Sequence, residues 1–225
     1  NIGCGNAFTY HHLFKFKPKS IYGIDVLNYG NAWNNVHKYV DKYNIKTEVK
    51  FDMINIINLD PKLKFDLIIS EAVFEHCKDF NNVTKVLYGA LKDNGVLYSS
   101  YGGPLWYTYG GDHFSGRDNE ENGYNHLLLN KDDYQNYFKK NVGNLEHELN
   151  EGGGGGILVE NDLFSKLSGN EYMQIFQEEG FKSLKTITEA DPVALKLLKN
   201  NTELKKKLIN LSLPVSFEDF YLKTH

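Results

Sequence analysis

Apolar residues along this chain fall into short blocks of two kinds, and the kinds alternate. Ser20 to Val26 (SIYGIDV), Thr47 to Met53 and Phe65 to Ser70 (FDLIIS) are compact runs bounded by turn residues, the pattern of strands. The last of these is almost continuously apolar, which predicts a strand covered on both faces. Between the runs the period changes. Trp33, Val36, Tyr39, Val40 and Tyr43 recur at spacings of three and four and predict a helix over Ala32 to Tyr43, and Val83 to Leu91 predicts another. Asn1 to Gly3 reads as the end of a strand, Gly3 to Asn6 as a turn, and Phe8 to Phe16 as a short helix. Pro61 and the charges around it mark a loop, Asp93-Asn94-Gly95 a helix stop and turn, and Val96 to Tyr101 a fifth strand. Strands alternating with helices predict an α/β fold with a mostly parallel sheet.

The alternation then breaks. Gly102 to Ser168 is rich in aromatics, Gly and Asn and only weakly periodic, which predicts an inserted lid or substrate segment. It contains five consecutive glycines, Gly152 to Gly156, which read as a natural flexible loop, an engineered linker or a stand-in for deleted sequence and are set apart from the functional argument. Beyond it the pattern predicts a helix over Glu171 to Glu179 closed by Gly180, a strand over Phe181 to Thr188, a helix over Val193 to Leu211 and a last strand over Phe217 to Thr224. The expectation is a single domain over 1–225 with 102–168 inserted. Because the chain opens with Asn1 inside motif-like sequence, it is expected to lack its true N-terminal residues.

Composition narrows the class. The 225 residues are 41% hydrophobic, enough for a core without covalent staples. The net charge of −4 argues against nucleic acid or an anionic membrane as partner. The basic run Lys205 to Lys207 sits in a helical pattern and reads as a solvated face. Two cysteines, Cys4 and Cys77, make neither a metal spacing nor a disulfide framework and suit a reducing, cytoplasmic setting. No apolar run approaches the ~20 residues that span a bilayer. The three groups Asp112, His113 and His126 have no specific metal spacing, so no metal is expected.

Two features carry chemistry. Gly3-Cys4-Gly5-Asn6-Ala7 stands at a strand-to-helix turn, where small residues let the backbone approach a ligand and helix amides lie near. Asp25 ends the next strand, 20 residues after Gly5, where an acid accepts hydrogen bonds from the two hydroxyls of a ribose. Together they mark a nucleotide site but do not separate a nicotinamide cofactor from others.

The continuing order of motifs does. Asp52 follows the third strand, then come KFDLIISEAVFEHCKDF (Lys64 to Phe80) and LKDNGVLYSSYG (Leu91 to Gly102). This resembles the class I S-adenosylmethionine-dependent methyltransferases, and most closely their small-molecule type, over Asn1 to about Gly102. The resemblance implies a Rossmann-like, seven-stranded sheet flanked by helices, and S-adenosyl-L-methionine as cofactor. It implies that Gly3, Cys4 and Gly5 line the methionine part, with Asn1 nearby. Asp25 would hold the ribose hydroxyls with Val26 against the adenine. Asp52 would accept from the adenine amino group with Met53 on the ring. Ser70 and Glu71 would lie beside the amino acid end. Two positions depart from the family: Asn1 stands where an acid is usual, and Ala7 where a third glycine is.

The acceptor side is read from the residues. His113, with Asp112 beside it and Arg117 close by, is the candidate base, and His76 just past the fourth strand is a second candidate. Tyr101, Trp106, Tyr107, Tyr109 and Phe114 would wall an acceptor pocket or form a small core of their own, with Arg117 among them. The expected acceptor is a small molecule or a saccharide, methylated at oxygen. Ser70-Glu71-Ala72-Val73 lacks the Asn/Asp-Pro-Pro-aromatic run of enzymes that methylate adenine or glutamine amino groups. Two rivals share parts of this pattern: a catalytically silent cofactor-binding module, and a nicotinamide-dependent oxidoreductase, which leaves Asp52 and the FDLI strand unexplained.

Overall fold

The computed structural model describes residues 1–100, 124–130, 132–133, 136–137, 140, 165, 167, 169–187 and 192–210. The chain divides into two compact units, one of residues 1–74 with 79–101 and one of 75–78 with 102–225.

In the first unit four strands follow one another: β1 (Ser20–Asp25), β2 (Glu48–Met53), β3 (Phe65–Glu71) and β4 (Leu91–Ser100). β1 pairs with β2 and β3 with β4, both parallel. Ile2 joins the two pairs through parallel bridges to Ile24 and Ser70. The order across the sheet is therefore β2, β1, the segment at Ile2, β3, β4. The chain leaves its central segment toward one edge, then returns to build the other. A doubly wound sheet binds ligands where its order reverses in this way, outside the carboxyl ends of the strands.

Alternation along β1 and β2 sorts the two faces. Ile21, Gly23 and Asp25 share a face with Val49, Phe51 and Met53, since these are register partners. Helix α1 (Tyr10–Leu13) and helix α2 (Gly30–Lys42) cover it. Trp33 stacks on Phe51 at 5.2 Å with 3° between the planes, and Tyr10 stacks on the same ring at 5.3 Å. Gly23 makes room for this layer: a Cβ there would stand 2.4 Å from the Tyr10 hydroxyl and 2.7 Å from Phe51. The tyrosine hydroxyl is buried without a hydrogen-bond partner among the described residues. Helix α3 (Phe80–Ala90) starts at Asp79, whose carboxylate accepts the Asn82 amide, and buries Phe80, Val83, Thr84, Leu87 and Ala90 at helical spacing.

In the second unit, α4 (Asn125–Leu128), α5 (Gly169–Glu179), α6 (Pro192–Asn200) and α7 (Thr202–Asn210) are described. Helix α5 ends in a Schellman motif. Gly180, at φ 108°, donates to Gln177, Phe181 donates to Phe176, and the two phenyl rings meet edge to face at 5.3 Å. Tyr124 and Leu204 form a small core with Leu128, Leu197 and Leu198.

The structure corrects four expectations. Asp93-Asn94-Gly95 does not separate a helix from a strand: β4 begins at Leu91 and carries these residues as an irregularity, since Leu91 pairs with Phe65 while Val96 already pairs with Leu67. Asn94 takes up the extra length at φ 60°. Among the described residues β3 is not covered on both faces, for Leu67 is half exposed. The helix expected over Val193 to Leu211 is two helices, because the Asn201 side chain accepts the Leu204 amide and caps a new start. Phe181 to Ile187 forms no strand. Leu184 and Ile187 are exposed, no ladder partner exists for them among the described residues, and Ser183 bonds Thr186 instead. The strand expected over Phe217 to Thr224 and most of the 102–168 insertion lie outside the described residues. Among the described residues no helix is long and apolar enough to cross a membrane.

Tyr10→Phe removes a buried hydroxyl that has no partner among the described residues, so it is expected to stabilise the protein by about 1 kcal/mol. The urea midpoint is the measure, and a lower midpoint in the variant would show that the hydroxyl is bonded in solution.

Candidate functional site

The carboxyl ends of the central segment, β1, β2 and β3 carry most of the expected cofactor residues. Asn1 and Ile2 lie in the ladder: Ile2 donates to Ile69 at 2.8 Å, and Asn1 accepts from Ile24 at 3.0 Å. The Asn1 side-chain amide donates to the Ile69 carbonyl at 3.2 Å, so the residue standing where the family has an acid ties the central segment to β3.

The turn that follows runs through left-handed backbone at Gly3 (φ 60°), Gly5 (φ 49°) and Ala7 (φ 56°). At Gly3 the need for glycine is also steric, since a Cβ would stand 2.1 Å from Val73 Cγ2. At Gly5 nothing lies within 4 Å of where a Cβ would be, so the turn faces open space there. Ala7 holds the same backbone region without glycine's freedom, at a cost of about 1–2 kcal/mol, and is buried. Cys4 points inward, and burial, aided by nearby Asp25, pushes its thiol up to about 11. It is a packing residue, not a nucleophile, at neutral pH.

Asp25 closes the turn. Its Oδ2 accepts the Gly5 amide at 2.8 Å and its Oδ1 the Leu27 amide at 2.9 Å. Each oxygen retains a second lone pair, which leaves the carboxylate able to accept two vicinal hydroxyls as well. The Gly5 carbonyl accepts Trp33 Nε1 at 2.8 Å, which anchors the turn to α2. The residue pattern predicted an acid at this place but did not reveal that it is a brace; the only signal was its spacing from Gly5.

Asp25 and Met53 are register partners, whereas Asp52 pairs with Ile24 and belongs to the opposite face. Val26 and Met53 are both exposed at adjacent strand ends, an apolar rim suited to a flat ring. Asp52 lies among groups that sequence reasoning did not connect to it. Tyr22 donates to its Oδ2 at 2.5 Å and Lys50 pairs with the same oxygen at 2.6 Å. These bonds, Lys50 first and Tyr22 next, hold its carboxyl below the usual carboxylate range.

At the end of β3, Ser70 is buried, and its hydroxyl has no partner among the described residues. Glu71 next to it is exposed. His76 ends a short 3₁₀ turn, Phe74–His76, and is half-buried. Tyr101, Trp106, Tyr107, Tyr109, Asp112, His113, Phe114 and Arg117 lie outside the described residues. Among the described residues no cluster of His, Cys, Asp or Glu could hold a metal ion.

The arrangement fits a nucleoside cofactor by its own geometry. A glycine turn opens onto free space, an acid with spare acceptor capacity stands beside it, and an apolar rim follows.

Comparison with known proteins gives the same direction. Residues 1–97 match the family described as "Methyltransferase domain". No curated protein matches the sequence. Among solved structures, a protein described as a sarcosine dimethylglycine methyltransferase from Galdieria sulphuraria is 17% identical with a TM-score of 0.50. The match covers 99% of this chain and 67% of that one. PKMT2 from Rickettsia typhi is 15% identical with a TM-score of 0.46, covering 99% of this chain and 46% of that one. Its complex with AdoHcy is 15% identical with a TM-score of 0.49, covering 98% and 45%. At 17% identity the likeness to the first of these shows a shared fold.

Asp25→Ala leaves two turn amides, those of Gly5 and Leu27, without their acceptor. It is expected to lower stability by about 1–3 kcal/mol, read from urea denaturation. An unchanged midpoint would mean that the brace contributes nothing to the fold.

Proposed function

We propose that the chain is a class I S-adenosylmethionine-dependent methyltransferase that transfers a methyl group to a small-molecule or saccharide-like acceptor, at oxygen, a reading supported by the match of residues 1–97 to the family described as "Methyltransferase domain". S-adenosylmethionine is the cofactor of that family. The observation that carries the reading is the Gly5–Asp25 bond, which sets an acid with spare acceptor capacity beside an open glycine turn where the sheet order reverses.

In this reading Gly3, Cys4 and Gly5, with Asn1 behind them, line the methionine part of the cofactor. Asp25 takes the ribose hydroxyls, Val26 and Met53 pack on the adenine, Asp52 accepts from its amino group, and Ser70 and Glu71 lie at the amino acid end. When bound, the cofactor supplies a methyl group on a positively charged sulfur that is already a good leaving group. The protein's own work is then to align the acceptor and exclude water. The segment from Tyr101 to His126 is assigned to the acceptor side, with Tyr101, Trp106, Tyr107, Tyr109 and Arg117 as contacts. His113 is the base that takes the acceptor's proton, and His76 is the alternative. Ser70-Glu71-Ala72-Val73 at the end of β3 supports an acceptor other than an adenine or glutamine amino group, and the net charge of −4 supports one other than nucleic acid.

Calorimetry with S-adenosylhomocysteine and with NAD tests the site. The first is expected to bind and the second not, and binding of NAD alone would remove the reading. Asp25→Ala is expected to weaken the first by roughly 1.5–3 kcal/mol. A mass-spectrometric acceptor screen tests the rest, with a product methylated only at nitrogen counting against oxygen. His113→Ala is expected to lower turnover by about 10²–10⁴-fold with cofactor affinity intact. Full turnover in that variant would take the base assignment away.

A further inference from the structure

The face of the sheet opposite the Trp33–Phe51–Tyr10 layer carries one polar cluster. Tyr22 and Lys50 are register partners on β1 and β2, and Asp52 follows two residues after Lys50 on the same face. The Tyr22 hydroxyl donates to Asp52 Oδ2 at 2.5 Å, and Lys50 Nζ lies 2.6 Å from the same oxygen. Lys50 Nζ also stands 4.8 Å from the centre of the Tyr22 ring, and that ring stacks with Phe65 at 6.2 Å. All of these recorded contacts of the carboxylate fall on Oδ2; Oδ1 accepts none among the described residues.

Resting on the reading of Asp52 as the acceptor for the adenine amino group, we propose that Tyr22 and Lys50 are the positioning residues of adenine recognition: they hold the Asp52 carboxylate by Oδ2 and leave Oδ1 as its one open acceptor. A terminal carboxylate turns easily about its last bond. Two donors on one oxygen stop that rotation, and the tyrosine is itself held through Phe65 and the lysine ammonium. An exposed Lys–Asp pair alone contributes little, and the Lys50 side chain is 65% exposed, so the phenol is the stronger of the two holds. The same bonds keep Asp52 ionised and therefore acceptor-only. An acceptor-only group matches a donating 6-amino group and repels a 6-oxo group. The cluster thus specifies adenine over a 6-oxopurine, and Tyr22 sets how sharply.

The test compares S-adenosylhomocysteine with its 6-oxo analogue, S-inosylhomocysteine, by calorimetry on the full chain, so that only a ratio of affinities is read. The unaltered chain is expected to favour the amino ligand by about tenfold or more, the size of a hydrogen bond to a charged acceptor. Tyr22→Phe, which keeps the ring, is expected to lower that ratio to about a third or less, and Lys50→Gln by a smaller factor. A merely structural loss would weaken both ligands equally and leave the ratio unchanged. Should Asp52→Ala abolish the preference while Tyr22→Phe and Lys50→Gln both retain it, the positioning role is overturned and the reading of Asp52 stands. Should Asp52→Ala retain the preference, the adenine contact lies elsewhere and the reading of Asp52 falls with the proposal.

Discussion

The Asp25 carboxylate receives the Gly5 amide at 2.8 Å and the Leu27 amide at 2.9 Å, and so fastens the turn after the central segment to the end of β1. Much else depends on this clasp. The turn takes left-handed backbone three times, once at a non-glycine residue, and a loop of that shape persists only when its surroundings over-determine it. The clasp supplies one constraint. Trp33 supplies another from α2 through the Gly5 carbonyl, and Val73 a third by packing where a Cβ at Gly3 would be. The backbone of the turn is thereby fixed from three sides.

The sheet's two faces divide the labour. On one, Trp33, Phe51 and Tyr10 form a stacked aromatic layer that seats α1 and α2, and Gly23 is the gap that admits it. On the other, Tyr22 and Lys50 grip Asp52. The strand ends bring both outcomes to one rim: Asp25 and Met53 arrive from the aromatic face, Asp52 from the polar one. The rim therefore carries side chains from both sides of the sheet, a consequence of side chains alternating along two parallel strands in register.

Much of this was legible in the residues. The strand runs at Ser20, Thr47 and Phe65 stand in the structure to within a residue or so. The interval between Gly5 and Asp25 singles out both residues, and the structure joins them by a hydrogen bond of 2.8 Å. The failures share a cause. Asp93-Asn94-Gly95 looks like a turn and is one conformationally, with Asn94 at φ 60°, yet pairing with β3 draws it into a strand. Asn201 looks like an interior helix residue until its side chain caps a new helix. Leu184 and Ile187 look like strand residues but have no neighbouring ladder among the described residues, and a strand exists only through its partner.

Local order could be read from the chain because it depends on neighbours a few positions apart: periodicity, glycine at tight turns, an acid at a strand end. Those same patterns resemble a methyltransferase over Asn1 to about Gly102, and residues 1–97 match the family described as "Methyltransferase domain". The partners of each marked residue could not be read, because register is a relation between segments distant in sequence. Tyr22 reaches Asp52 across 30 positions, and the Asn1 side chain reaches the Ile69 carbonyl across 68. Only folding, which sets β1 beside β2 and the Ile2 segment between β1 and β3, decides that Asp25 braces the turn and that Asp52 is held by one oxygen.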